Sequence, residues 1–167
     1  MSKTRKLCYL AMLTALYVVM SAFLKFYVGV GHIQVDLGYI AFVVALCEFG
    51  VAGTAVGVIG CALESILFTA YGFSISWAVA NAVIGIGCGL VFSKSKKFCV
   101  RATAIILYSA IGFLLLKTVI ECKLYSIPYA VKLPKSVAAF VVDSIVMICG
   151  LAFYELLKRR VIREWTQ

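Results

Sequence analysis

The sequence predicts an all-α membrane protein: a compact bundle of six transmembrane helices, with the N- and C-termini cytoplasmic. Three observations predict it. Of 167 residues, 64% are hydrophobic and only 14% are charged, whereas a soluble domain carries about a quarter charged residues. Several apolar runs reach the roughly 18–20 residues needed to cross a bilayer as a helix. The basic residues cluster beside those runs: Lys3, Arg5 and Lys6; Lys94, Lys96, Lys97 and Arg101; Lys158, Arg159, Arg160 and Arg163. That is the pattern of juxtamembrane charge that sets topology. So little chain lies outside the runs that residues 1–167 read as a single domain.

The same features exclude other classes. A net charge of +9 suggests nucleic acid, but no aromatic-interleaved soluble surface is available to carry it. Seven cysteines form no CxxC pair, and with one His a zinc set is not expected. Most sit in apolar runs, where Cys behaves as a small hydrophobe. No GxSxG, HExxH, P-loop or acid pair with a nucleophile is present, so neither catalysis nor a cofactor is expected. Any ATP-driven work must come from another subunit.

The helices follow in order. Helix one, 7–24, is too long for a signal-peptide core and no small-residue cleavage site follows it before Lys25. Its Cys8, Ala11, Ala15 and Ala22 recur at helical spacing, the pattern that lets another helix approach closely in lipid. Residues 25–37 form an outer loop. Helix two, 38–49, is short. Helix three, 51–70, carries Gly53, Gly57 and Gly60 for tight backbone packing. Tyr71-Gly72-Phe73-Ser74 makes an outer turn before helix four, 75–92. Helix five, 102–121, contains Lys117 and Glu121. A second outer loop, 122–134, holds Pro128 and Pro134, and helix six, 135–157, contains Asp143 and Ser144. With both termini and the loop at 93–101 inside, eleven of the sixteen Lys and Arg residues lie on the cytoplasmic face.

Ionisable groups in a bilayer cost on the order of 2.5–3.5 kcal/mol each, so each needs a reason. Glu64, Asn81, Lys117, Glu121 and Asp143 all fall between the outer face and the mid-plane. They are therefore candidates to converge on one externally open cavity. Trp77 precedes Asn81 by one turn, so an aromatic face and an amide point the same way; the ring is either a stacking surface or an interfacial anchor. Lys117 and Glu121, four apart, either neutralise each other or serve a ligand. His32, Gln34 and Asp36 lie between Gly31 and Gly38, and the glycines suit a lid that orders over bound ligand. His32, alone in its loop, is read as solvated and not as a metal ligand.

At this point four stretches carry a resemblance. They are the AxxxA of Ala11–Ala15 after a basic N-terminus, GHIQVDLGYIAFVVALCEFG, VAGTAVGVIGCALESIL and SISWAVANAVIGIGCGLVF. Together they resemble the substrate-binding S components of energy-coupling factor (ECF) vitamin transporters over nearly the whole chain. Departures are Ala41, where many members have Pro, and Cys61-Ala62 in place of Gly-Asp. The resemblance implies capture of a small water-soluble vitamin between loop one and helices four to six. It implies docking of a transmembrane coupling subunit through Ala11 and Ala15. It also implies two partner ATPases whose work topples the protein so that its site opens inward. The substrate-binding candidates are then Asn81, Asp143, Glu64, Trp77, His32, Asp36 and Lys117. Carboxylates that accept, an amide that does both and a ring that stacks fit a planar nitrogen heterocycle: a flavin, a pterin or folate, or a 7-deazaguanine such as queuine. The alternative is a self-sufficient secondary transporter or channel. Against it stand the lack of an evident repeat and of a ring of pore charge.

Overall fold

The structure, a computed structural model, describes residues 3–24, 26–28, 33–68 and 73–165. His32 and the turn residues Tyr71 and Gly72 lie outside the described residues. The elements are α1 (Lys3–Phe23), β1 (Phe26–Val28), β2 (Ile33–Val35), α2 (Gly38–Phe49), a 3₁₀ turn (Gly50–Gly53), α3 (Thr54–Phe68), α4 (Ile75–Lys94), α5 (Phe98–Ser109), a π-helical stretch (Ala110–Lys117), α6 (Thr118–Tyr125) and α7 (Tyr129–Trp165). Among the described residues, five stretches are long and apolar enough to cross a membrane: Lys3–Phe23, Gly38–Phe68, Ile75–Lys94, Phe98–Tyr125 and Tyr129–Arg159.

The second stretch is two helices, not one. Gly50 takes φ 56°, a left-handed value that glycine adopts without a Cβ penalty, and ends α2. Beyond it the chain doubles back. A Cβ on Gly53 would stand 2.5 Å from the backbone of Ala45, and one on Gly57 2.5 Å from the Phe42 ring. Residues 45 and 53, and 42 and 57, are therefore side by side in antiparallel helices. Gly60 repeats the device against Tyr17 of α1. Small residues replace the hydrophobic effect as the means of association in lipid, because lipid tails are as apolar as the side chains.

Residues 25–37, expected as a plain loop, include a small hairpin: β1 and β2 pair antiparallel with Phe26 opposite Val35 and Val28 opposite Ile33. This hairpin marks one end of the bundle; the N-terminus and the α4–α5 turn mark the other. The expected outer loop at 122–134 is mostly helix. Only Ser126–Pro128 interrupts it, with Ser126 in the left-handed region at φ 53°. Pro128, which has no N–H to extend α6, instead offers its carbonyl to Val131 and Lys132 at the start of α7. Pro134 then sits inside α7, near enough to its start that few intrahelical bonds are lost.

The stretch from Phe98 to Tyr125 places its inward residues by an unusual route. Arg101, Ile105, Ser109, Phe113, Lys117 and Glu121 are all buried, at a strict spacing of four. At about 100° per residue an unbroken α-helix would leave Glu121 about 200° from Arg101, on the opposite face. The wider π turns advance less per residue, and the eight residues of Ala110–Lys117 take back roughly 150°. The Thr118 hydroxyl, donating to the carbonyl of Phe113 five residues earlier at 2.9 Å, fits that wider turn.

The termini end is closed by side chains. Arg101, grouped above with the solvated basic residues, is 3% exposed. It donates to Ser95 O at 2.9 Å, Phe92 O at 3.3 Å and Glu155 Oε1 at 3.1 Å. Tyr154 donates to Glu48 Oε1 at 2.7 Å, so α2, α4, α5 and α7 are joined there. The guanidinium is buried because its fork satisfies two carbonyls and a carboxylate at once.

Deleting Leu115, which faces outward, should rotate everything beyond it by about 100° and swing Lys117 and Glu121 toward lipid. In a Trp165→Phe background, Trp77 is the sole tryptophan. We expect its emission to shift as the Lys117 ammonium leaves its ring, and the melting temperature to fall. Unchanged emission and stability would mean that the π stretch does not aim these two residues.

Candidate functional site

Toward the hairpin end the bundle interior is polar. Asp36 accepts a hydrogen bond from Ser21 Oγ at 2.7 Å and from the Gly38 N–H at 2.8 Å. It is thus the turn residue that opens α2 and ties it to α1. Tyr39, 1% exposed, donates its hydroxyl to Asn81 Oδ1 at 3.1 Å, and Asn81 Nδ2 reaches Gly57 O at 3.4 Å. A phenol, an amide and a carbonyl thereby link α2, α4 and α3. Asn81, a candidate ligand contact, is fully buried with both ends of its amide engaged inside the protein. Its geometry is that of a tie between helices.

Around Tyr39 stands an aromatic cluster. Tyr39 meets Tyr17 at 6.2 Å and Phe113 at 6.1 Å between centroids, both edge to face, and Phe113 meets Trp77 at 5.4 Å. The Lys117 ammonium stands 3.5 Å from the centroid of Trp77 and 6.0 Å from that of Phe113. Such a contact is worth about 2 kcal/mol when desolvated, which makes the indole face a tolerable seat for a buried cation. The Lys117–Glu121 pairing that the sequence left open does not form. Glu121 instead accepts from Ser76 Oγ at 3.0 Å and pairs with Lys132 Nζ at 2.7 Å. Lys117 makes no ion pair among the described residues, although the charges of Glu121 and Asp143 are close enough to act on it.

Asp143 is 2% exposed on the inward face of α7. Ser136, seven residues before it, and Ser144 share that face. The hydroxyls of Ser136 and Ser144 are buried with no hydrogen-bond partner among the described residues. This is unusual inside a helix, where Ser and Thr commonly bond the carbonyl four residues back. Thr14, Ser93 and Thr103 do so here. A buried hydroxyl without a partner is a group whose satisfaction must come from elsewhere. Glu64, also buried, lies on the α1–α3 side. There it, Asp36 and Asp143 are near enough to act on the Tyr17 hydroxyl.

The structure therefore assembles Trp77, Lys117, Glu121 and Asp143 at one place, puts Asn81 beneath them and Asp36 at the foot of the hairpin. Sequence reasoning missed Tyr39, Ser76, Lys132 and Ser136. Ser136 was visible as the residue two turns before Asp143. Tyr39 was not, since nothing marks one tyrosine of nine as a donor to Asn81.

The fold is that of the S components of ECF-type transporters. FolT, solved with folic acid bound, superposes with a TM-score of 0.73 at 16% identity, covering 93% of this chain and 94% of that one. An S component for biotin from an ECF-type ABC transporter gives 0.69 at 17% identity, covering 95% of each chain. The S component of a bacterial ECF transporter gives 0.65 at 20% identity, covering 99% of this chain and all of that one. No curated protein shows significant sequence similarity. The family model for the S component of the ECF-type riboflavin transporter matches residues 1–159, and the chain belongs to that family. It is a membrane-embedded substrate-capture subunit for vitamin uptake, working with an ECF module.

Replacing Asn81 by Leu should leave the buried Tyr39 hydroxyl unpaired and cost roughly 1–3 kcal/mol. We expect a clearly lower melting temperature in detergent for Asn81→Leu, which strands the Tyr39 hydroxyl and breaks the tie to Gly57, and a smaller loss for Tyr39→Phe, which strands only Asn81 Oδ1. Parent-like stability in both would mean that the link holds nothing.

Proposed function

We propose that the protein captures riboflavin, or a closely similar planar nitrogen heterocycle, at the hairpin end. One observation carries this reading: a buried ammonium resting on an indole face within reach of the Asp143 charge, on a helix face where Ser136 and Ser144 keep hydroxyls without a partner among the described residues. A flat ring system can take over the Trp77 face by stacking. Lys117 then donates to ring carbonyl oxygens, Asp143 accepts from a ring N–H, and the serines complete the polar edge. The family's description supports the flavin, and FolT with folic acid shows a related body holding another fused nitrogen ring. Glu64 is a weaker contact on the far side. Asn81 acts by holding Tyr39 under the rings. The hairpin, including His32 and pivoting at Asp36, closes over the ligand.

In this reading the chain crosses the membrane six times in a prokaryotic cell membrane, α2 and α3 each counting once, with cytoplasmic termini and the hairpin outside. The protein is not an enzyme; two ATPase subunits supply hydrolysis, and a transmembrane coupling subunit docks on α1. Support for that docking comes from α1 being the least buried of the five stretches. Its exposed face holds Ala11, Ala15 and a shallow groove of about 490 Å³ between Tyr9 and Val19.

The test is titration of the purified protein with riboflavin, read by quenching of the flavin's emission. We expect tight binding in the parent. Losing a hydrogen bond to a charged group costs roughly 1.5–3 kcal/mol, so Lys117→Met and Asp143→Asn should each weaken binding about 10- to 150-fold. Folded variants that bind within twofold of the parent would move the pocket elsewhere. For docking, Ala11→Leu with Ala15→Leu should abolish uptake by the assembled transporter and leave riboflavin affinity unchanged. A large loss of affinity would place this face in the pocket.

A further inference from the structure

We propose that the groove between the termini-end halves of α4 and α5 binds an anionic phospholipid, with an acyl chain along the groove and the phosphate on the α4–α5 turn. The groove holds about 380 Å³ and is lined by Val91, Val100, Thr103, Ala104, Leu107 and Tyr108, with Cys99 at its mouth. Its floor is low because α4 offers Gly87, over which the Tyr108 ring lies, and α5 offers the buried Ala104. The Thr103 hydroxyl is turned back onto Cys99 O at 2.9 Å, so apart from the Tyr108 hydroxyl and the Cys99 thiol the groove presents hydrocarbon. From Val100 to Leu107 it runs about 10 Å along the helix, most of the roughly 15 Å that one leaflet of hydrocarbon occupies.

What stands at its end selects the headgroup. Lys94, Lys96 and Lys97 are all exposed, and none pairs with a carboxylate among the described residues. Arg101, the fourth cation of this cluster, is committed inward to Glu155 and two carbonyls. The first turn of α5 contains no acidic residue, so the positive end of that helix adds to three lysines with nothing to balance them. A soluble anion would match the lysines and leave the groove unused. A zwitterionic lipid would fill the groove and place a second cation beside the lysines. A lipid with a net negative headgroup satisfies both, with each basic residue near the interface contributing about 1 kcal/mol. The inference does not rest on the ligand reading, since no residue of the hairpin end takes part.

The experiment compares dioleoyl phosphatidylglycerol with dioleoyl phosphatidylcholine on the delipidated full-length protein. Retained lipid is counted by native mass spectrometry. We expect one phosphatidylglycerol to be held at least about tenfold more tightly than phosphatidylcholine, and to slow maleimide labelling of Cys99 without affecting exposed Cys149. The triple variant Lys94→Gln, Lys96→Gln, Lys97→Gln should lose that preference. Thr103→Trp, an outward position that fills the groove, should displace the lipid. Lys3→Gln with Lys6→Gln, which removes charge from the same end on α1, should change nothing. Equal retention of the two lipids would overturn the proposal. So would equal loss of preference in the α1 variant, which would mean diffuse charge, or full retention by Thr103→Trp, which would mean headgroup adsorption alone. Riboflavin titration of the same variants keeps the two readings separable: failure of this site leaves that affinity untouched.

Discussion

Within the hydrocarbon of a bilayer no water is available to solvate a polar group, so each must find its partner inside the bundle. The Tyr39–Asn81–Gly57 link is the plainest instance, and the hairpin-end architecture depends on it. It holds α2, α3 and α4 at a distance set by hydrogen-bond length, and glycines at 53 and 57 (against α2) and 85 (against α3) allow that distance. Upon the fixed Tyr39 ring stand Tyr17 and Phe113, and upon Phe113 stands Trp77. The indole face that carries Lys117 is thus placed by an amide one turn further along its own helix.

The two ends of the bundle use polar residues in opposite ways. At the termini end Arg101 and Tyr154 bond two carboxylates and two carbonyls, which cross-braces α2, α4, α5 and α7. At the hairpin end capacity is left over among the described residues: hydroxyls of Ser136 and Ser144 without partners, and an ammonium held by a ring instead of a carboxylate. Natural interiors rarely leave such groups unmet.

Much of this was legible beforehand, because hydropathy and charge act over long stretches and survive without knowledge of contacts. The all-helical class, the presence of several membrane-capable stretches and the glycine-packed α3 followed from that, and the family followed from four short motifs. What was not legible depends on three-dimensional pairing. Pro134 was read as a loop residue, yet it sits near enough to the start of α7 for the helix to accept it. Arg101 looked like one more interfacial cation; only the convergence of Phe92, Ser95 and Glu155 shows why it is buried. Glu121 was a natural partner for Lys117 at helical spacing, but the π stretch and the early start of α7 deliver Lys132 to it instead. The spacing of four from Arg101 to Glu121 was in the sequence all along. Its drift away from 3.6 is the trace of the π turns.

One helix touches both activities of such a protein. Ser21 of α1 is bonded to Asp36 at the foot of the hairpin, while the outward face of the same helix, through Ala11 and Ala15, is the proposed seat of the coupling subunit. Any coupling between docking and capture through this helix is thermodynamically reciprocal. Whatever free energy an ordered hairpin adds to docking, docking returns in full to vitamin affinity. An occupied and an empty protein would then compete unequally for a limited number of coupling subunits, and the bias would need no contact between vitamin and partner. Traffic through the transporter would be sorted by one hydroxyl at the end of one helix.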